Sequence, residues 1–348
     1  MIRKTLSTIL VFAVFATAYL PQPEACAALA IHPYVTARSL VVYDPAEGRI
    51  LASKNTHSRL PLASTTKVMT ALVVMDNLPL NKIITVRRET AYVPRTKIYI
   101  RPGEKFRVKD LLKALLISSS NDVAVELASQ VGGSERGFAA LMNKRARKIG
   151  VRNTHFVNAH GLPADRHYST SYDLALIMNE AKKYPFIMNA LSVRRTSISS
   201  LQGRKFRLKN HNKMLWKDSR PVIGKTGFTR AARHCFVGRI NYRKRDILVA
   251  IMGSVRPWHD LRVLLDFYSR LSVRKQNKEI NLNSKWWDRR RLLTFEKALK
   301  KAGFNPGRID GKVTTETVQA IRAFQRKKHL PQTGAIGPLT SRQLKKFT

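Results

Sequence analysis

Of the 348 residues, 64 are Lys or Arg and 22 are Asp or Glu, which gives a net charge of +42. Hydrophobic residues make up 44%, so the chain can bury a core and is not a disordered basic tail. The length predicts one large domain and a smaller one, and two cysteines exclude a disulfide-stapled scaffold or a thiolate zinc cage.

The chain opens on Arg3 and Lys4, an apolar run from Leu6 to Leu20, and the small-residue stretch Ala25–Ala30. That order predicts a secretory signal over residues 1–30. A span would need roughly 20 apolar residues, and Pro21 and Pro23 cut this run short. Cleavage after Ala27 or Ala30 removes Cys26 and leaves Cys235 as the one thiol. Cys26 as a lipoprotein acceptor is disfavoured by the preceding Pro23-Glu24-Ala25. The expectation is an exported protein of the periplasm or cell wall with no transmembrane anchor after cleavage. The positive charge then has wall polymers, lipid head groups and wall-peptide carboxylates as its polyanions, rather than nucleic acid. The plainer alternative is that solvated cations only keep the protein soluble.

Ser39–Tyr43 and Arg49–Ala52 read as strands around the turn Asp44–Gly48. A helix opens at Pro61–Ser64 and runs to about Asn77, where Pro79 stops it. Further helices are predicted over Val108–Ile117, Asp122–Gln130, Phe138–Ile149 and Tyr172–Lys182. Strands resume at Pro221–Gly224, Phe236–Ile240 and Ile247–Met252, and Leu261–Leu271 closes as a helix. The fold class expected is α+β: an antiparallel sheet whose first and last elements meet, with a helical insertion between them. Residues 273–288 are polar and charged and read as a linker after a domain of residues 31–272. Residues 289–348 read as a separate unit of three helices, Leu292–Lys301, Thr315–Lys328 and Pro338–Phe347.

Three motifs could carry chemistry. Ser64 sits at a helix start with Lys67 three residues on, so both share a face. A serine hydroxyl needs a base, and a neutral lysine supplies one when burial or a second cation lowers its pKa. Taken alone, Ser64 is more simply a helix cap, and Ser272–Lys275 repeats the spacing by accident. Ser119-Ser120-Asn121 breaks two helices: a serine there could relay a proton, and an Asn amide could hold a carbonyl and the lysine. Capping is the plain reading here too, and Ser53-Lys54-Asn55 is a decoy. Lys225-Thr226-Gly227 ends a predicted strand, where Lys and Thr could grip a carboxylate and the glycine could admit a peptide backbone. Alone it is an ordinary turn.

The three occur in order, 55 and 106 residues apart. Together they resemble the Ser-x-x-Lys, Ser-x-Asn and Lys-Thr-Gly set of the penicillin-binding serine D-alanyl-D-alanine carboxypeptidases. The likeness runs through Pro61–Leu72, Ser120–Ala128, Asn153–Pro163 and His167–Ala175, and covers roughly Ala37 to Leu271. It implies an acyl-enzyme on Ser64, with Lys67 as base, Ser119 as proton relay to the departing D-Ala, and Asn121 orienting Lys67 and substrate. It implies further that Lys225 and Thr226 bind the terminal carboxylate beside Gly227, and that the N–H groups of Ser64 and Phe228 form the oxyanion hole. No cofactor or metal is implied, and β-lactams would act as substrate mimics. Two positions depart: Arg233 stands where the family usually has Gly, and Pro257, beside Arg256, stands where it usually has an arginine. The residues after the catalytic stretch do not resemble the small β-rich domain that often follows in that family.

Instead, Gly303–Gly311, Thr317, Ala320–Arg326 and Leu330–Gly334 resemble a three-helix peptidoglycan-binding domain, with Thr314 at a usual glycine. Such a unit would raise the local concentration of substrate. His155, His160 and His167 raise a zinc reading, but there is no His-Glu-x-x-His and they match non-metal positions of the serine family. Trp286-Trp287 could stack on sugar or seal the second domain. The rivals to a carboxypeptidase are a D,D-endopeptidase with the same residues, a β-lactamase, for which no Glu-x-x-Leu-Asn stands between the second and third motifs, and a catalytically silent wall-binding protein.

Overall fold

The computed structural model describes residues 35–348 except 95, 218–221, 243–244, 275–288, 312–313, 329, 331–335 and 337. The signal segment, most of the linker, Pro221, Trp286-Trp287 and Pro331–Gly334 therefore lie outside the described residues.

β1 (Ser39–Asp44) and β2 (Arg49–Lys54) form the first hairpin. The Ser64–Lys67 stretch opens as a 3-10 turn over Ala63–Thr66 and passes into α1 (Lys67–Asn77). β3 (Ile83–Thr85) and β4 (Lys105–Arg107) make a two-stranded ladder. The helical insertion continues with α2 (Val108–Ile117), α3 (Asn121–Gly132), α4 (Glu135–Ile149), α5 (Ser171–Ala181) and α6 (Pro185–Ser192). β5 (Arg195–Ser199) and β6 (Lys205–Lys209) form a second small hairpin, followed by the one-turn α7 (Met214–Lys217). β7 (Val222–Thr229), β8 (Arg233–Tyr242) and β9 (Arg245–Ser254) complete the main sheet, and α8 (Pro257–Arg274) closes it.

The sheet order is β2-β1-β9-β8-β7, antiparallel throughout, so the first hairpin pairs with the last strand and β7 is an edge. β1 and β9 read as continuous apolar runs because both faces are covered. Val41, Tyr43, Leu248, Ala250 and Met252 face the helical block, while Leu40, Val42, Ile247, Val249 and Ile251 pack with Leu261, Leu264 and Leu265 of α8. The larger cluster joins the helices through Leu72, Leu111, Phe138 and Phe156, all buried. Burial on this scale contributes about 1.5–3 kcal/mol per large apolar side chain before entropy is counted. No helix among the described residues is long and apolar enough to cross a membrane.

Two strand expectations need correction. Lys225-Thr226-Gly227 lies inside β7, not at its end, because the strand runs on to Thr229 in register with β8. The β5–β6 hairpin and the β3–β4 ladder were not expected. In β5 only Ile198 is buried, and in β6 only Phe206 and Leu208.

The last unit has α9 (Arg289–Lys301), α10 (Thr315–Lys327), α11 (Pro338–Leu344) and a final 3-10 turn over Lys345–Phe347. Its core is Ala298, Leu299, Ala320, Ile321, Phe324, Ile336 and Leu344. Phe304 and Phe347 stand edge-on to Phe324, with centroids 5.5 and 6.1 Å away. Thr314 needs no glycine conformation: at φ −104° it caps α10, its hydroxyl accepting from Thr317 N and the Thr317 hydroxyl accepting from Thr314 N.

Candidate active site

The loop that carries Ser64 is held in a backbone form that most side chains avoid. Ala63 has φ +48°, a left-handed value that costs of order 1 kcal/mol outside glycine and persists only where neighbours impose it. Gly161, at φ +89°, lies against it: a Cβ there would stand 1.9 Å from the Ala63 oxygen. Thr65 and Thr66 hydroxyls donate to the carbonyls of Leu62 and Ala63 at 2.6 and 2.8 Å. The turn leads straight into α1, which sets Ser64 and Lys67 side by side.

Lys67 is fully buried. Its Nζ is 3.0 Å from Ser64 Oγ, 2.7 Å from Asn121 Oδ1 and 2.6 Å from the His160 carbonyl oxygen. Burial lowers its pKa well below the usual lysine value, and Lys225 nearby lowers it further against a small opposing effect of Asp122. A neutral amine has two N–H bonds and one lone pair. Both carbonyl oxygens can only accept, so they take the two N–H bonds, and the lone pair is left for the Ser64 hydroxyl.

Ser119 follows α2 at φ +60°, another left-handed non-glycine residue. Lys225 Nζ donates to Ser119 Oγ at 3.0 Å and to the Thr226 carbonyl oxygen at 3.0 Å. Burial brings the Lys225 pKa down to about 7. Gly227 puts β7 against the nucleophile, since a Cβ would lie 2.8 Å from Ser64 N. Thr226 thus enters the cluster through its carbonyl, while Phe228 stands at the rim, 57% exposed, its ring centroid 4.5 Å from that of His234. The fold brings together Ser64, Lys67, Ser119, Asn121, Lys225 and Gly227 in one continuous set of contacts.

Several contributors escaped the sequence reading. The His160 carbonyl is one. Others are the carbonyls of Pro94 and Thr96, which accept from Asn121 Nδ2 at 3.0 Å and Asn121 N at 2.7 Å. Two buried carboxylates of α3 hold that segment in place. Asp122 accepts from the backbone N–H groups of Tyr99, Ile100 and Val123 at 2.8–3.2 Å, and Glu126 accepts from Arg87 N and Thr90 Oγ1. The available signal was two acids on the buried face of one helix, an arrangement that demands donors.

The three histidines have separate tasks. His155 Nδ1 donates to the Arg166 oxygen, and His160 Nε2 faces Glu135 at 3.2 Å. His167 Nδ1 accepts from Val157 N, so its Nε2 proton goes to Thr66 Oγ1 at 3.1 Å. Burial holds the His167 pKa down at about 4, leaving it neutral near pH 7. No group of three His, Cys, Asp or Glu side chains suited to a metal occurs among the described residues. Arg233 is exposed and adopts φ +55°, which explains a usual glycine there. Pro257 begins α8, and Arg256 N donates to Thr36 Oγ1 at 2.9 Å. Cys235 is buried and its thiol pKa is pushed up to about 12 by burial, so it is inert as a nucleophile.

The D-alanyl-D-alanine carboxypeptidase family model matches residues 26–255. The chain belongs to this family. A putative peptidoglycan binding domain matches residues 290–344. D-alanyl-D-alanine carboxypeptidase DacF of Bacillus subtilis strain 168 is 34% identical over 227 residues, which cover 64% of this chain and 58% of that one. A D-alanyl-D-alanine endopeptidase of Escherichia coli strain K12 is 31% identical over 237 residues, 66% of this chain and 75% of that one. The crystal structure of a D-alanyl-D-alanine carboxypeptidase from Mycobacterium tuberculosis superposes with a TM-score of 0.65 at 28% identity, covering 72% of this chain and 96% of that one. The chain spans less than two thirds of the length of DacF.

Proposed function

We propose that the protein is a serine-type D-alanyl-D-alanine carboxypeptidase that removes the terminal D-Ala from peptidoglycan stem peptides. The observation that carries this reading is Lys67, buried and depressed in pKa, with two carbonyl acceptors that leave its lone pair to Ser64.

Ser64 Oγ attacks the carbonyl carbon of the last peptide bond as its proton passes to Lys67 Nζ. The oxyanion is received by the N–H groups of Ser64 and Phe228. The C–N bond breaks, the leaving nitrogen takes a proton relayed through Ser119 Oγ, and D-Ala departs. Water then cleaves the ester and restores Ser64. Asn121 orients Lys67 and the acyl donor, while charged Lys225, with Thr226 and Gly227, holds the terminal carboxylate. No cofactor is required. β-Lactams acylate Ser64 by the same first step.

The same residues suit D,D-endopeptidase cleavage of cross-links, and the likeness to a relative named as an endopeptidase favours keeping that second reading. The domain plan is a signal over residues 1–30, a catalytic domain over 31–272, a linker over 273–288 and a peptidoglycan-binding unit over 289–348. The protein acts outside the membrane, in the periplasm or wall, where its cations meet anionic wall or membrane-surface polymers.

Labelled penicillin forms a covalent adduct with the wild type and none with Ser64→Ala; an unlabelled wild type refutes the acyl-enzyme reading in favour of a silent fold. With a pentapeptide-bearing wall fragment, free D-Ala marks the carboxypeptidase, whereas monomers released from dimers mark the endopeptidase.

A further inference from the structure

A groove of about 530 Å³ lies beside the lysine pocket. Pro94 forms part of its wall, and residues Val157, Asn158, His160 and Leu162 much of the rest. Two of these lining residues also serve the site through their carbonyls: His160 O takes a proton of Lys67 Nζ, and Pro94 O takes one of Asn121 Nδ2. The groove is therefore one residue away from the amine and the amide that handle the acyl donor. A peptide advances about 3.3–3.6 Å per residue when extended. One whose scissile carbonyl sits at Ser64 and Asn121 places the residue before D-alanyl-D-alanine within reach of this groove.

Among the described residues, Glu135 is the one acid that lines it. Its side chain is 39% exposed, and Oε1 accepts from His160 Nε2 at 3.2 Å and from Ala159 N at 3.4 Å. The tautomer is fixed, because His160 Nδ1 accepts from Leu162 N at 3.0 Å and so the ring proton sits on Nε2. Burial alone would raise the Glu135 pKa, but the hydrogen bonds from His160 Nε2 and Ala159 N hold it below the usual carboxylate value. The carboxylate is thus ionised near pH 7. The rest of the lining is mainly apolar, from Pro94, Val157, Leu162 and neighbouring residues, and suits a methylene stem. In a chain of net charge +42, the groove that adjoins buried Lys67 through His160 presents an ionised acid.

The geometry points to Glu135 as a specificity-determining residue that receives the terminal ammonium of a diamino acid at the position preceding D-alanyl-D-alanine. This rests on the carboxypeptidase reading and names the side chain that the same site selects. His160 acts as a positioning residue: its ring fixes the carboxylate while its carbonyl fixes Lys67.

The test uses the full chain and two tripeptides, α-acetyl-L-Lys-D-Ala-D-Ala with a free side-chain amine and its α,ε-diacetyl counterpart. The wild type is expected to favour the free amine by about tenfold in kcat/KM, the scale of one hydrogen bond to a charged partner. In Glu135→Gln that ratio falls towards one, and in Glu135→Lys it drops below one. Penicillin labelling of each variant reports a folded site independently of the peptides. A wild type that hydrolyses both tripeptides equally, or a Glu135→Gln that keeps the preference, overturns the assignment alone. A wild type that hydrolyses neither overturns the carboxypeptidase reading and this assignment with it.

Discussion

The interior of the catalytic unit and the interior of the last three-helix unit differ in how many charged groups they bury and in what those groups face. Around Ser64 the fold buries two lysines and two acids, and supplies each with oriented partners. Desolvation works against the charged forms of the two lysines and lowers their pKa values. In the last unit the centre is Phe324, flanked by two further rings and aliphatic side chains, with cations over the ring faces at the rim. Among the described residues, the last unit buries one acid, Glu296, which accepts from Gly311 N at 2.9 Å, whereas the first sets its buried lysines against serine hydroxyls.

The sharpest way to break this contrast is Gly161→Ala. The added methyl would meet the Ala63 oxygen at 1.9 Å at a φ of +89°, so the nucleophile loop must move. Penicillin acylation is expected to fall by at least about 10²-fold, in line with the sensitivity of catalysis to small misplacements; acylation within about threefold of wild type would show that the loop is not pinned there.

Phe324→Ala tests the other interior. Loss of that ring is expected to cost about 3–5 kcal/mol, melting the last unit and weakening sedimentation with purified wall. Turnover of a soluble pentapeptide should stay within about twofold. A collapse of that turnover would refute the division of labour.

Lys225→Gln sharpens the electrostatic side. Acylation needs neutral Lys67 and charged Lys225, so the free enzyme's rate rises with pH as Lys67 loses its proton. It falls again as Lys225 loses its own near pH 7, with both limbs shared by the pair. Without the Lys225 charge the Lys67 pKa rises, so the acid limb of penicillin acylation moves to higher pH and the alkaline limb disappears. An unmoved acid limb would remove Lys225 as a cause. The smallest effect is expected from Thr314→Ala, which deletes the α10 cap at about 1 kcal/mol. It should lower the melting temperature of the last unit without touching acylation.

Much of the fold was legible because periodicity survives in single segments. Val108–Ile117 was read with its observed ends, since its apolar spacing and the serines after it mark both the face and the stop. The pairing of the first hairpin with the last strand followed from two apolar strands on either side of a helical block. By contrast, β5 and β6 carry too few buried residues to stand out from basic loop sequence. The end of β7 was misread because Lys225-Thr226-Gly227 resembles a turn until β8 pairs with it.

By itself, the sequence determined the order and spacing of Ser64, Lys67, Ser119, Asn121 and Lys225, the resemblance they carry, and the presence of a distinct helical unit at residues 289–348. Only the tertiary structure decided which carbonyls accept hydrogen bonds from Lys67, how Asp122 of α3 holds the N–H groups of Tyr99 and Ile100, and that Glu135 meets His160. The reason is physical. A side chain's type is written at its own position, but a backbone carbonyl is the same at every residue, and its role exists only once distant segments are packed together.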